Sequence, residues 1–170
     1  KLAKMNLAIR GISANLGEKA ASTFQDDQHK AEKFDFIMAN PPFNQKDWRE
    51  PNELTSDPRW SGFTTPPTSN ANYAWIQHMI SKLSPRGVAG FVLANGSLST
   101  SGKQEYNIRQ KMLEEGIVHC IIALPTNLFS TVTIPACLWF LRKDCRNKGK
   151  VLFINCGEKG IMIDRNIREL

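Results

Sequence analysis

Asn40-Pro41-Pro42-Phe43 follows directly on the apolar run FDFIMA, and the four residue types define a narrow chemistry. None is an acid, a base or a nucleophile. They offer two carbonyl acceptors in a stiff frame, the Asn40 side-chain oxygen and the Pro41 backbone oxygen, followed by the flat ring of Phe43. Two converging acceptors suit an NH2 group. An exocyclic amine conjugated to a ring or a carbonyl is a poor nucleophile because its lone pair is delocalised. Accepting hydrogen bonds from both its hydrogens returns electron density to nitrogen and favours the pyramidal geometry of attack. Fixed acceptors of this kind act where charge develops, and the proline pair keeps reorganisation small. Phe43 supplies a stacking face for the same planar group. The electrophile has to come from elsewhere. A sulfonium methyl needs no metal, which makes N-methylation the expected reaction, and a base in a DNA duplex would have to be flipped out to reach the site. The plain alternative is a turn that merely stops a strand, since neither proline can donate to a ladder.

The elements around this corner follow from periodicity. Leu2, Met5, Ile9 and Ile12 form a helical stripe ended near Gly11, and a short strand is expected near Ala20 to Phe24. A buried strand runs over 34–39 and ends at the corner. The polar stretch that follows, to about Asn70, contains Trp48, Trp60 and Phe63; a loop of this length in a compact domain is usually functional or disordered. For these three aromatics, packing of the loop is the simpler reading than contact with DNA. A helix is expected over 71–84, with Ile76, Met79, Ile80 and Leu83 on its core face, and a second over 103–115 ended by Gly116. The continuous apolar runs 88–94 and 117–124 read as buried strands, 134–141 as another strand and 151–155 as a last one. Those over 117–124 and 134–141 have no helix between them and are free to pair antiparallel. Alternating helices and apolar strands imply an α/β fold, a mostly parallel sheet with helices on both faces.

Composition narrows the classes. With 41% hydrophobic and 22% charged residues the 170-residue chain reads as a globular domain, and its apolar runs are too short to cross a bilayer, so a cytoplasmic location is expected. Four cysteines and three histidines show no C-x-x-C or H-x-x-x-H spacing; Cys120, Cys137, Cys145 and Cys156 read as reduced thiols and no metal site is expected. A net charge of +6 and a pI near 9.3 favour a polyanionic partner. Part of that charge lies in Arg142 to Lys150, which reads more simply as a solvated loop than as a phosphate-contacting patch.

The ordered series LAKMNLAIRGI, FDFIMANPPFN, NANYAWIQHMISKLSPRGVAGFVLANGSLS, ALPTNLF, TIPACLWFLRK and VLFIN resembles the modification subunit of type I restriction-modification systems, in the N6-adenine DNA methyltransferase family. The resemblance covers nearly the whole chain. It implies a partial Rossmann-like class I methyltransferase fold with an antiparallel hairpin near the carboxyl terminus. It also implies methyl transfer from S-adenosylmethionine to N6 of a flipped-out adenine. Carried over to this chain, the NPPF motif makes Asn40 and Pro41 the acceptors for the adenine amine, Pro42 the frame and Phe43 the stacking partner. The partners implied are double-stranded DNA, a specificity subunit that reads sequence and a restriction subunit that cleaves.

One part of the family pattern is missing. No G-x-G occurs, and the segment AASTF has Ser22 where the family often carries an acidic residue toward the cofactor, which leaves Ser22 as a weak cofactor contact. Residues 1–170 are therefore expected to be the carboxyl-terminal part of a catalytic domain, with most of the cofactor site elsewhere, inactive alone and prone to self-association through an exposed sheet edge. Two other functions compete, a protein glutamine N-methyltransferase, since a carboxamide poses the same chemical problem, and a noncatalytic nucleic-acid-binding module.

Overall fold

The computed structural model describes residues 2–128, 134–144, 148–164 and 167–169. The chain divides into two units, Lys1–Glu32 and Lys33–Leu170. In the first, α1 (Leu2–Ile9) carries the expected stripe, but none of its residues is buried, and Gly11 ends the turn after it at φ 64°. The strand expected near Ala20 to Phe24 is absent. Those residues enter a turn in which the Ser22 carbonyl accepts from Asp26 N–H at 2.9 Å. Just upstream, the Gln28 side-chain amide pairs the backbone of Glu18 and Lys19 at 2.7 to 3.2 Å, filling the role a neighbouring strand would have.

The second unit runs β1 (Phe34–Ala39), α2 (Asn72–Lys82), β2 (Leu83–Ala94), a short α3 (Gly96–Ser99), α4 (Lys103–Glu114), β3 (Val118–Ala123), β4 (Ala136–Arg142), β5 (Leu152–Asn155), β6 (Ile161–Asp164) and β7 (Ile167–Glu169). The first five strands form one sheet in the order β1-β2-β4-β3-β5. β1 is parallel to β2 and β3 to β5, while β4 is antiparallel to both its neighbours. Four strands thus share a direction and β4 opposes them, a mixed sheet that contains the expected antiparallel pair. β6 and β7 form a separate hairpin that periodicity did not announce, because the residues of β6 are exposed on both sides and show no half-buried alternation.

β2 begins before the apolar run VAGFVLA and includes Pro85. The register against β1 slips between Phe34 and Phe36, so the proline sits in an irregularity where no ladder donor is needed. Gly87 lies in the same irregularity; a Cβ there would stand 2.7 Å from the Phe34 carbonyl oxygen.

The core lies on one face of the sheet. Tyr73, Ile76, Met79 and Ile80 of α2 and Ile108 and Met112 of α4 pack on Ala89, Phe91, Leu93, Cys137, Trp139 and Leu141. Phe91 and Trp139 stand opposite in register and stack at 6.3 Å with an 8° interplanar angle, worth roughly 1 kcal/mol beyond the area buried. Alternation sends Phe36, Met38, Val88, Val92, Leu138 and Phe140 to the other face. Among the described residues both sheet-covering helices lie on the first face, and on the second Phe36 and Met38 stay 84% and 94% exposed. No described helix is long and apolar enough to cross a membrane.

Candidate active site

β1 places Ile37 and Ala39 against the core and ends at Ala39, where Asn40, Pro41 and Pro42 carry the chain off the sheet. Pro41 is buried, Pro42 is exposed and Phe43 is half-buried. Asn40 is exposed, and its side chain bonds to no described residue. The corner stands at the edge where β1, β2, β3 and β5 all end, the edge at which open α/β sheets bind their ligands.

A left-handed residue follows the corner. Asn44 has φ 51°, a conformation that asparagine tolerates better than most residues, and a clasp holds it there. Its backbone N–H donates to Asn72 Oδ1 at 3.0 Å. Asn72 Nδ2 donates back to Asn44 Oδ1 at 3.0 Å, and Asn70 Nδ2 reaches the same oxygen at 3.3 Å. Asn72, the first residue of α2, is almost fully buried. Ala71 N–H donates to the Gln45 carbonyl at 2.8 Å and Asp47 N–H to the Thr68 carbonyl at 3.0 Å, so the two ends of the long loop run side by side.

Buried side chains hold the rest of that loop. The Arg49 guanidinium donates to the carbonyls of Glu50, Pro51, Glu53 and Pro66 at 2.9 to 3.1 Å; burial lowers its pKa and Glu53 opposes that shift. Trp48 Nε1 donates to the Pro67 carbonyl and Trp60 Nε1 to the Leu54 carbonyl, each at 2.7 Å, and the two rings meet edge to face at 6.0 Å. Asp57 caps a 3-10 turn, Pro58–Trp60, and pairs with Arg59 at 2.7 Å. Burial raises the Asp57 pKa, but the bonds from Arg59 outweigh it and hold the carboxyl below its ordinary value. Trp48 and Trp60 are therefore loop anchors, and Phe63 packs against the core.

A second loop leaves the same edge after β2. The Tyr73 hydroxyl donates to the Ser97 carbonyl at 2.6 Å, and Trp139 Nε1 donates to Ser97 Oγ at 3.2 Å. Arg109 bridges from α4 to the Tyr73 oxygen and the Thr100 carbonyl, each at 3.2 Å. Burial pushes the Tyr73 phenol above its ordinary value, and Arg109 draws it only part of the way back. Ser22, in the first unit, is exposed in its turn with its hydroxyl bonded to Gln25 Oε1. Cys120, Cys137 and Cys156 are free thiols; Cys145 lies outside the described residues. In the basic run, Arg142 pairs with Asp144 at 3.0 Å and Lys143 Nζ donates to the Leu83 carbonyl at 2.9 Å, so its first residues are tied to the protein. Sequence reading missed Asn44, Arg49, Asn72 and Tyr73.

The whole chain, residues 1–170, matches the N-6 DNA methylase family. It is 48% identical over 169 residues to the type I restriction enzyme HindI methylase subunit of Haemophilus influenzae, covering 99% of this chain and 38% of that protein. It superposes on the type I restriction-modification system methyltransferase subunit from Streptococcus thermophilus with a TM-score of 0.87 and 31% identity, covering 98% of this chain and 36% of the other. A Listeria monocytogenes protein assigned to the class I S-adenosylmethionine-dependent methyltransferases shares the fold at a TM-score of 0.57 and 19% identity, over 75% of this chain and 38% of its own. The chain thus spans little more than a third of the length of each.

Proposed function

The chain belongs to the N-6 DNA methylase family, and from that premise we propose that it is the target-base part of an adenine-specific DNA methyltransferase of the type I restriction-modification kind. The observation that carries the reading is the Asn40–Phe43 corner. It lies at the edge where the parallel strands end, with an exposed asparagine amide and a half-exposed ring on a backbone made rigid by two prolines. The Asn40 Oδ1 and the Pro41 carbonyl accept the two hydrogens of the adenine N6 amine and raise electron density on nitrogen as it attacks. Pro42 keeps the acceptors in place, and Phe43 stacks on the base.

S-adenosylmethionine is the methyl donor of this family, supplying a methyl on a sulfonium. The residues present do not by themselves form its site. They include no G-x-G turn, and Ser22, the weak candidate for contact, is an exposed turn residue. In this reading the donor is held by parts of the subunit outside the chain, and the 170 residues alone neither bind it at micromolar concentration nor methylate. The partners are double-stranded DNA and the specificity and restriction subunits, and the chain alone associates with itself.

The test uses the complete subunit that contains this chain, assembled with its partners, labelled S-adenosylmethionine and either duplex DNA or a glutamine-bearing protein. Asn40→Ala should lower the rate of DNA methylation by about 10²–10³ while cofactor affinity barely moves. Labelled protein with untouched DNA, or full activity in the variant, would refute the proposal.

A further inference from the structure

Asn72 and Tyr73 are consecutive at the start of α2, both buried to 1% exposure or less, and each reaches a different loop of the working edge. Asn72 takes the residue after Phe43, and Tyr73 takes Ser97, just past the end of β2. We propose that this pair are positioning residues that set the Asn40–Phe43 corner and the loop after β2 in one fixed relation for transfer to the amine; the inference rests on the function proposed above.

The amide geometry has a single solution. A backbone N–H can only donate, so Asn44 N–H fixes the near atom of Asn72 as its oxygen, and the nitrogen must then face Asn44 Oδ1. The two bonds close on each other at 3.0 Å and resist rotation of the peptide that follows Phe43. Their base is rigid, because Ile76, Met79 and Ile80 lock α2 to the sheet a turn or two later. Tyr73 spans the adjacent loop through Ser97, which Trp139 holds from β4. A buried amide with both its groups used in one clasp is costly to leave unpaired, yet nothing in the packing of α2 requires an amide there. Both its bonds go to Asn44, the residue that follows the corner, and that gives it its use.

Positioning by Asn72 predicts a loss of rate rather than of binding. In the complete subunit, Asn72→Ala should lower kcat about 10- to 100-fold, the scale of a displacement near 1 Å at reacting groups, with KM for DNA and cofactor affinity within about threefold. Asn44→Ala should do the same. Asn44→Asp keeps an acceptor for the Asn72 amide and a residue that tolerates a left-handed φ, and should recover all but about threefold of the rate. Tyr73→Phe should cost about two- to fivefold, because Trp139 still holds Ser97. Parent kcat in Asn72→Ala overturns the inference. So does equal kcat in Asn44→Ala and Asn44→Asp, a comparison that decides the matter even if Asn72→Ala fails to fold. Asn40→Ala, assayed alongside, separates the two levels: its full activity refutes the function itself, whereas its inactivity beside an undiminished Asn72→Ala refutes only the positioning role.

Discussion

The stretch 44–70 has one 3-10 turn and otherwise no regular structure, yet it buries Trp48, Arg49 and Trp60 to 8% exposure or less; β1, β5 and β6 are regular strands and leave Phe36, Leu152 and Ile161 largely in solvent. Backbone polar groups must be satisfied in both places, and the two regions meet that demand differently. A ladder pairs backbone with backbone and leaves the side chains free to face water. In the loop, side chains do the pairing: one guanidinium and two indoles serve six carbonyls, and each must be inside to do so. Regular structure and anchoring are therefore separate properties here, and the anchored region is the irregular one beside the candidate site.

Substitution tests that contrast directly. Trp60→Ala should have the largest effect, about 3–5 kcal/mol in a urea melt of the chain, as for other buried aromatics cut to alanine; a cost no greater than that of a change at Phe36 would end the contrast. Next, Arg49→Lys should cost about 2 kcal/mol, because an ammonium is a point donor and cannot span four carbonyls as a planar fork does; a neutral result would mean the carbonyls find water unaided. A smaller effect comes from Asp57. Its folded pKa is depressed, so the stability it adds is complete above the unfolded value near 3.9 and is lost as pH falls through the folded one. Melting temperature should therefore drop more steeply below about pH 4 in the parent than in Asp57→Asn, and parallel curves would contradict the pairing with Arg59. Smallest of all, Phe36→Ser with Met38→Ser should shift stability by no more than about 0.5 kcal/mol while reducing self-association in sedimentation.

Much of the fold was legible because it is periodic. The core stripe of α2, the apolar runs of β2 to β5 and the stop imposed by Pro41 and Pro42 are local patterns, and the antiparallel pairing of β3 and β4 is one that the sequence between them, with no helical stripe, left open. The place of the NPPF corner, at the end of β1, was legible because the two prolines stop the strand there. What escaped was long-range or unpatterned. An arginine in a polar run looks solvated until its carbonyl partners are seen, and the bond from Asn44 to Asn72 joins residues with nothing periodic between them. The strand expected near Ala20 gave way to a turn closed by the Ser22 carbonyl and Asp26 N–H, a local bond that an apolar pattern does not report. That α2 and α4 share one face of the sheet was not readable either, since alternation reports which face a residue takes and not what lies over it.

The central place of β4 also has a bearing on how the chain is made. β1, the corner and α2 leave a ribosome early, but the core face they need is completed by Trp139 and Leu141 of a strand that pairs with both β2 and β3 and is translated after them. During synthesis the Asn40–Phe43 corner is thus written before the strand that completes its support. Until residue 142 has emerged, the nascent chain presents a β1–β2 pair with an open edge and a β3 with neither of its partners, a natural point for a chaperone to engage and for a translational pause to matter.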